Sequence, residues 1–292
     1  MRRPFNEGKA LDAVLQVLEQ RERLSRGDLR SPEADHHQAP IDLVCTVGDR
    51  LYALEHTGIE PFGNQIAMGQ HNDSLFKPVI NRLRDLLPPN AVFELHVPVN
   101  AATRTKLKPA EVTKIQHALI NWVSATAPGL EMARPGCYVT PIREVTIPGV
   151  PFSVSLHRLV PLGAEFYGLS VRAIVGPDLE GARHDRIAAM CAKKYGKLQH
   201  WKLSYRARTI LVLEDADIQL TNHVVVAEAL ARAEASRSDL PDEIYLVTSY
   251  LETSWQAICL RRSSPQEYNG LTGERWEYEK FDPAELTDLT GR

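Results

Sequence analysis

Asp42 and Glu55 flank a Gly48-Asp49 pair, each the same number of residues from it. Gly-Asp between two β-branched and apolar runs is the composition of a tight hairpin turn. Folding Ile41–Val47 onto Arg50–Thr57 across that turn sets Asp42 opposite Glu55 on one face of the sheet. Cross-strand neighbours lie about 4.5–5.5 Å apart at Cβ. Two carboxylates that close repel unless a proton or a cation sits between them, and a divalent metal bound through oxygen is one way to satisfy both. Within "LYALEHTGIEPF", Glu55 shares its face with Leu51, Ala53 and Thr57, while Tyr52, Leu54 and His56 point to the other side. A carboxylate among small and apolar neighbours needs a partner. The alternatives are that Asp42 caps a turn or pairs with an arginine, and that Glu55 pairs with His56, His71 or Arg82.

A second chemical segment is the run "KKYGKLQHWKLSYRAR", Lys193 to Arg208, the densest stretch of positive charge, interleaved with Tyr195, Trp201 and Tyr205. Lys193, Lys194, Lys197, Lys202 and Arg206 could meet phosphates while Trp201 stacks on a base. A solvated helix end followed by a loop has the same composition. Lys194 and Lys197 are spaced to share one helix face.

The elements that must position these residues follow from periodicity. Leu11, Val14, Leu15 and Leu18 predict a first helix over Glu7–Leu24, followed by a polar loop through Arg26–Pro40. After the hairpin, "GIEPFGNQIAMGQHND" reads as irregular loop, with Asp73 or Ser74 capping a helix that Pro88-Pro89 ends. "AVFELHVPV" is the next strand and Lys108–Ala127 the next helix, with Pro109 in its first turn. From about Cys137, Pro- and Gly-punctuated β-branched segments predict a meander of short strands. Then come a helix over Ala182–Lys197, the strand "ARTILVLED", a helix over Asn222–Ala235, and the strands "DEIYLVTSY" and "SWQAICLRR". "TILVLE" has the unbroken apolar run of a strand covered on both faces. The expectation is a single α/β domain over residues 1–292, a mixed central sheet flanked by helices, with a β-rich insertion at about 136–176 and a polar tail at about 263–292.

A helix, a hairpin carrying Pro40-Ile41-Asp42 and then Glu55-His56-Thr57, and a following helix and strand resemble the PD-(D/E)xK nuclease superfamily, the restriction-endonuclease-like fold. The likeness covers chiefly the first hundred residues. It implies that Asp42 and Glu55 hold Mg²⁺, and that Glu22 or Glu19 on the first helix matches the extra carboxylate of some branches. Thr57 stands where the family's pattern has a lysine. Some members move that lysine to a helix, which assigns the catalytic role to Lys194 first and Lys197 second. The resemblance implies a Mg-dependent phosphodiesterase acting on nucleic acid. The alternative is a catalytically silent member of that fold that binds nucleic acid or a protein partner.

Other features narrow the field. Glu214, Asp215 and Asp217 end a buried strand, where ligands collect in open α/β sheets; alternatively, Asp217 and Thr221 make turn and cap contacts with Asn222 close behind. His36, His37, His56 and His71 show no H-x-x-x-H on a helix and read as loop histidines. There is no G-x-x-x-x-G-K-[ST], no G-x-G-x-x-G and no G-x-S-x-G. Cys45, Cys137, Cys191 and Cys259 form no C-x-x-C pair and read as reduced thiols. The balance of 34 basic against 37 acidic residues, a formal charge of −3, demands no polyanionic partner by itself, although a local basic face would suffice. No apolar run approaches a membrane span, and no apolar segment follows the N-terminal arginines, so a cytoplasmic location is expected. The sequence leaves the oligomeric state open.

Overall fold

The computed structural model describes residues 5–33, 40–60, 65–101, 108–133, 143–159, 167–174, 177–215, 222–249, 251, 253–262, 268–269 and 276–290, without the side chains of 65–66, 133 and 177–182. It is an α/β protein whose contacts gather into two compact units, Met1–Gly63 with Glu180–Arg292, and Asn64–Leu179. The inserted unit is therefore longer than the strand-rich 136–176 stretch, because it brings its own helices to cover its sheet.

In the first unit, α1 (Glu7–Glu22) begins where the Asn6 side chain accepts the Lys9 amide at 2.9 Å, and ends at Arg23 in the left-handed region, φ 56°. Its buried residues include Leu11, Val14, Leu15 and Leu18. β1 (Arg26–Arg30), β2 (Leu43–Val47) and β3 (Arg50–Ile59) form an antiparallel meander. The β2–β3 register is Leu43 opposite Leu54 and Val47 opposite Arg50, the pairing that the turn dictates, with Gly48 at φ +60°. β9 (Arg208–Asp215) runs parallel to β3 and to β10 (Glu243–Thr248). β11 (Trp255–Arg262) and β12 (Glu277–Phe281) complete the sheet in the order β1-β2-β3-β9-β10-β11-β12. β9 alternates between two cores, as its unbroken apolar run predicted. Ile210 and Val212 pack with α1, Tyr52 and Leu54, whereas Leu211 and Leu213 pack with Ala53 and the buried stripe Ile187, Cys191, Tyr195, Leu198 and Trp201 of α4 (Pro177–Tyr205). α5 (His223–Glu234) lies on the latter side, capped by Asn222, which accepts the Val224 and Val225 amides.

Two strands correct the loop assignments. Arg26–Arg30 and Glu277–Phe281 are the outermost strands of the sheet and mostly exposed, so polar residues interrupt any strand-like alternation of apolar ones.

The second unit places α2 (Gln65–Leu83) and α3 (Pro109–Thr126) around an apolar core shared with one face of the sheet β5-β7-β4-β8 (Met132–Ala133, Ser153–Leu159, Val92–Pro98, Gly168–Ile174), with β6 (Val145–Thr146) beside β7. Asp73 and Ser74 lie inside α2 and cap nothing. Asp73 pairs with Lys77 one turn on, at 2.8 Å.

The sheet's other face carries a buried polar cluster. Glu94 stands opposite His157, and His96 opposite Ser155. His96 bonds Glu94, Arg172 lies 3.0 Å from the same carboxylate oxygen, and His157 Nε2 is 3.1 Å from Ser155 Oγ. Burial first, and the charge of His96 second, hold His157 below the usual histidine value against an upward pull from Glu94. For a base, a lowered value means that the fold favours the neutral ring. Stability is complete above the ordinary value near 6.5 and falls as acid drives the proton on. Amides of β4 and β7 should thus lose hydrogen-exchange protection between pH 7 and pH 5, after correction for intrinsic rates. A His157→Gln variant should flatten that dependence.

Candidate functional site

Asp42 and Glu55 meet where β2 begins beside β3. The Asp42 amide donates to Glu55 Oε2 at 3.2 Å, and the His56 amide donates to Asp42 Oδ2 at 2.6 Å. Both acids are buried, Glu55 at 0% and Asp42 at 5% exposure. The positive charge comes from α4: Lys194 Nζ and Lys197 Nζ lie 2.6 and 2.8 Å from the same oxygen, Glu55 Oε1. The spacing of three residues puts both ammonium groups on the helix face toward β3.

The electrostatics are strained on Asp42. Burial, then the charge of Glu55, push its carboxyl up to about 7, against the His56 amide and the charge of Lys194. Lys197 is raised as well, which for a base favours the charged form: burial alone would lower it, but the hydrogen bond and charge of Glu55 outweigh burial.

A further carboxylate, absent from the sequence-based assignment, adds to the pressure. Glu7, in the first turn of α1, contributes to raising Asp42, and its Oε1 is buried without a hydrogen-bond partner. Glu19 and Glu22 do not take this place. Glu19 accepts the Arg26 amide at 2.8 Å, and Glu22 pairs with Arg21 at 3.0 Å, both toward the other end of α1. Among the described residues, no three His, Cys, Asp or Glu side chains gather into a set that could hold a metal ion. Asp42 and Glu55 supply the converging pair of acids.

The other sequence candidates divide. Glu214 is buried and bonded to Asn6, His56 and Ser249. Asp215 is buried at the end of β9, and Asp217 and Thr221 lie outside the described residues, as do His36, His37 and Cys137. His56 is a buried strand histidine instead of a loop one, while His71 is exposed on α2 of the second unit. Cys45, Cys191 and Cys259 are buried free thiols, held up by burial.

Of the basic and aromatic run, Lys193 and Arg206 are exposed. Lys202 is tied to Asp242 at 2.6 Å. Trp201 is a correction: at 5% exposure it belongs to the core and stacks on Tyr205 with centroids 4.4 Å apart, so its faces are not offered to a base. Tyr195 is likewise interior and donates to Glu234. Tyr195 falls on the buried stripe within the helix expected, and Trp201 joins it because α4 continues to Tyr205, past the Lys197 end expected.

Asp42→Asn tests the strain directly. The fold disfavours ionised Asp42, so wild-type stability falls as pH rises from the ordinary carboxylate range through about 7. The neutral variant should therefore melt higher than wild type at pH 8, and the difference should shrink toward pH 5. Thermal unfolding at the two pH values checks this.

No family model matches the chain, no curated protein matches it, and no solved structure matches it. Among the described residues, no helix is long and apolar enough to cross a membrane.

Proposed function

We propose that the chain is a divergent metal-dependent nuclease-like protein that hydrolyses phosphodiesters of nucleic acid, built on a restriction-endonuclease-like arrangement of its first unit. One observation carries the reading: two ammonium groups from α4 converge on the buried carboxylate that lies beside Asp42. Thr57 lacks the charge of the lysine it replaces, and Lys194 and Lys197 bring that charge from a helix to the same carboxylate. In the first unit α1 and the β1–β3 meander are followed by α4 and by β9 parallel to β3, while the helix and strand next in sequence, α2 and β4, belong to the second unit.

The residues suit a hard cation. Asp42 resists ionising because burial, and then the charge of Glu55, outweigh the His56 amide and the charge of Lys194, and Glu7 holds a buried oxygen without a hydrogen-bond partner. Asp42 and Glu55 would hold Mg²⁺, which supplies positive charge for phosphate oxygens and lowers the pKa of water. Lys194 is the less exposed of the two lysines, at 24% against 34%. It is the first choice for orienting the attacking water, with Lys197 pairing Glu55. Lys193 and Arg206 are exposed cations available to phosphates on either side.

A second reading rests on charge balance: two carboxylates meet two ammonium groups, an arrangement that needs no ion. It describes a silent nuclease-fold protein that binds nucleic acid or a protein partner. Calorimetry with Mg²⁺ and Mn²⁺ on wild type and Glu55→Gln, beside cleavage of single- and double-stranded DNA and RNA, separates the two. Binding lost in the variant, together with metal-dependent cleavage, is the expected result. Neither binding nor cleavage by wild type would overturn the nuclease reading and leave the silent one.

A further inference from the structure

Glu214 closes β9 at 0% exposure, and donors of its own chain surround its carboxylate. The Asn6 amide lies 3.1 and 3.0 Å from its two oxygens, Ser249 Oγ is 2.7 Å from Oε1, and His56 Nε2 is 3.0 Å from Oε2. The single Asn6 proton is shared between both oxygens, so three groups of the chain engage the two oxygens of Glu214.

What it holds is the entry to α1. Asn6 caps that helix by accepting the Lys9 amide, and the next residue is Glu7, the carboxylate that presses on Asp42. An independent contact seats the same segment. Gly58 is the register partner of Glu214, and a Cβ added to it would lie 2.3 Å from the Phe5 ring. Phe5 can lie against β3 only because position 58 has no side chain. Phe5, Asn6 and Glu7 are therefore laid across the Gly58–Glu214 pair, one by packing and one by a charge-assisted hydrogen bond.

We propose that Glu214 is a positioning residue, which fixes Glu7 beside the Asp42–Glu55 pair by gripping the Asn6 amide, with His56 and Ser249 holding Glu214 in place. The proposal rests on the reading of Asp42 and Glu55 as a cation site. Glu214 also meets His56, whose amide donates to Asp42, so what Glu214 and Glu7 each give the site should overlap without being identical.

The experiment uses Mn²⁺ as the probe on the full chain, comparing wild type, Glu214→Gln, Glu7→Gln and the double variant by calorimetry. Hydrogen exchange of the Asn6 and Lys9 amides is read alongside. Gln leaves a single acceptor oxygen, so the Asn6 amide loses the contact it makes with both oxygens of Glu214. Mn²⁺ affinity should fall about tenfold in Glu214→Gln, the lower end of what partners of metal ligands contribute. The double variant should lose less than the sum of the two single losses, which is the non-additivity of a shared route. The Asn6 and Lys9 amides should exchange markedly faster in Glu214→Gln. In Glu243→Gln, which frees the far end of α1, they should speed up no more than the loss of global stability accounts for. Additive losses, or unchanged exchange in Glu214→Gln, would overturn the proposal. If wild type binds no Mn²⁺, the cation reading fails, and the exchange arm alone decides whether Glu214 grips α1. Should Glu214→Gln not fold, Ser249→Ala removes one of the bonds with little change in volume and should move the same amides in the same direction.

Discussion

Replacing Lys194 and Lys197 together by methionine should destabilise the first unit by about 3 kcal/mol, the cost of leaving a buried carboxylate unpaired. Either single replacement should cost under about 1 kcal/mol, the ordinary value of a half-exposed ion pair. The asymmetry comes from geometry. Both ammonium groups address Glu55 Oε1, so each single variant keeps one cation on that oxygen, whereas the double variant leaves Glu55, at 0% exposure, with only the Asp42 amide. Denaturant unfolding of the four proteins measures it, and equal, additive costs would show that the two lysines act apart. Under the proposed function, cleavage separates them further. The lysine that orients water should cost about a hundredfold or more in rate when replaced, as loss of a preorganised donor does. The other should cost far less. Methionine keeps the stem that packs along α4, so a loss of activity without a loss of stability in a single variant reports charge and not packing.

The hairpin was legible because its information is local. A Gly-Asp turn with runs of matching length fixes the register, and the register alone puts Asp42 beside Glu55. The i, i+3 spacing of Lys194 and Lys197 was equally local. That they would reach Glu55 instead of solvent was not, since it depends on α4 packing over β3, more than a hundred residues away in sequence. Glu7 and Glu214 were beyond reach for the same reason. Glu214 read as one of three acids closing a strand, and only its contact with Asn6, 208 residues distant, reveals what it holds. Trp201 shows a different failure. Its spacing from Ile187, Cys191, Tyr195 and Leu198 was a helical apolar stripe on the page, but basic neighbours drew the eye to charge before periodicity. The strands β1 and β12 gave no signal, because outermost strands with two wet faces have no alternation to read.

Glu243→Gln should lower stability at neutral pH by about 3 kcal/mol and leave Mn²⁺ affinity untouched. Glu243 lies at the start of β10, fully buried, where it takes Arg21 Nη1 and Nη2 at 2.7 and 3.1 Å and Arg208 Nε at 2.5 Å. Burial pushes its carboxyl up, but the hydrogen bonds and charges of the two guanidinium groups outweigh burial and hold it below the usual carboxylate range. For an acid, a lowered value means that the fold favours the charged form. The stability it contributes is complete above the ordinary value near 4.5 and is lost as pH falls through the lower folded value. The gap between wild type and variant should therefore be widest above pH 5 and close in stronger acid, which unfolding at a series of pH values would follow. A gap constant with pH would mean that the loss is one of packing. Arg21 is in the last turn of α1, so Glu243 ties down the end of the helix opposite Asn6. One buried carboxylate at each end holds α1 to the sheet, Glu214 at the end that carries Glu7 and Glu243 at the far end. The two should cost the fold comparably when neutralised, and only the first should reach the cation.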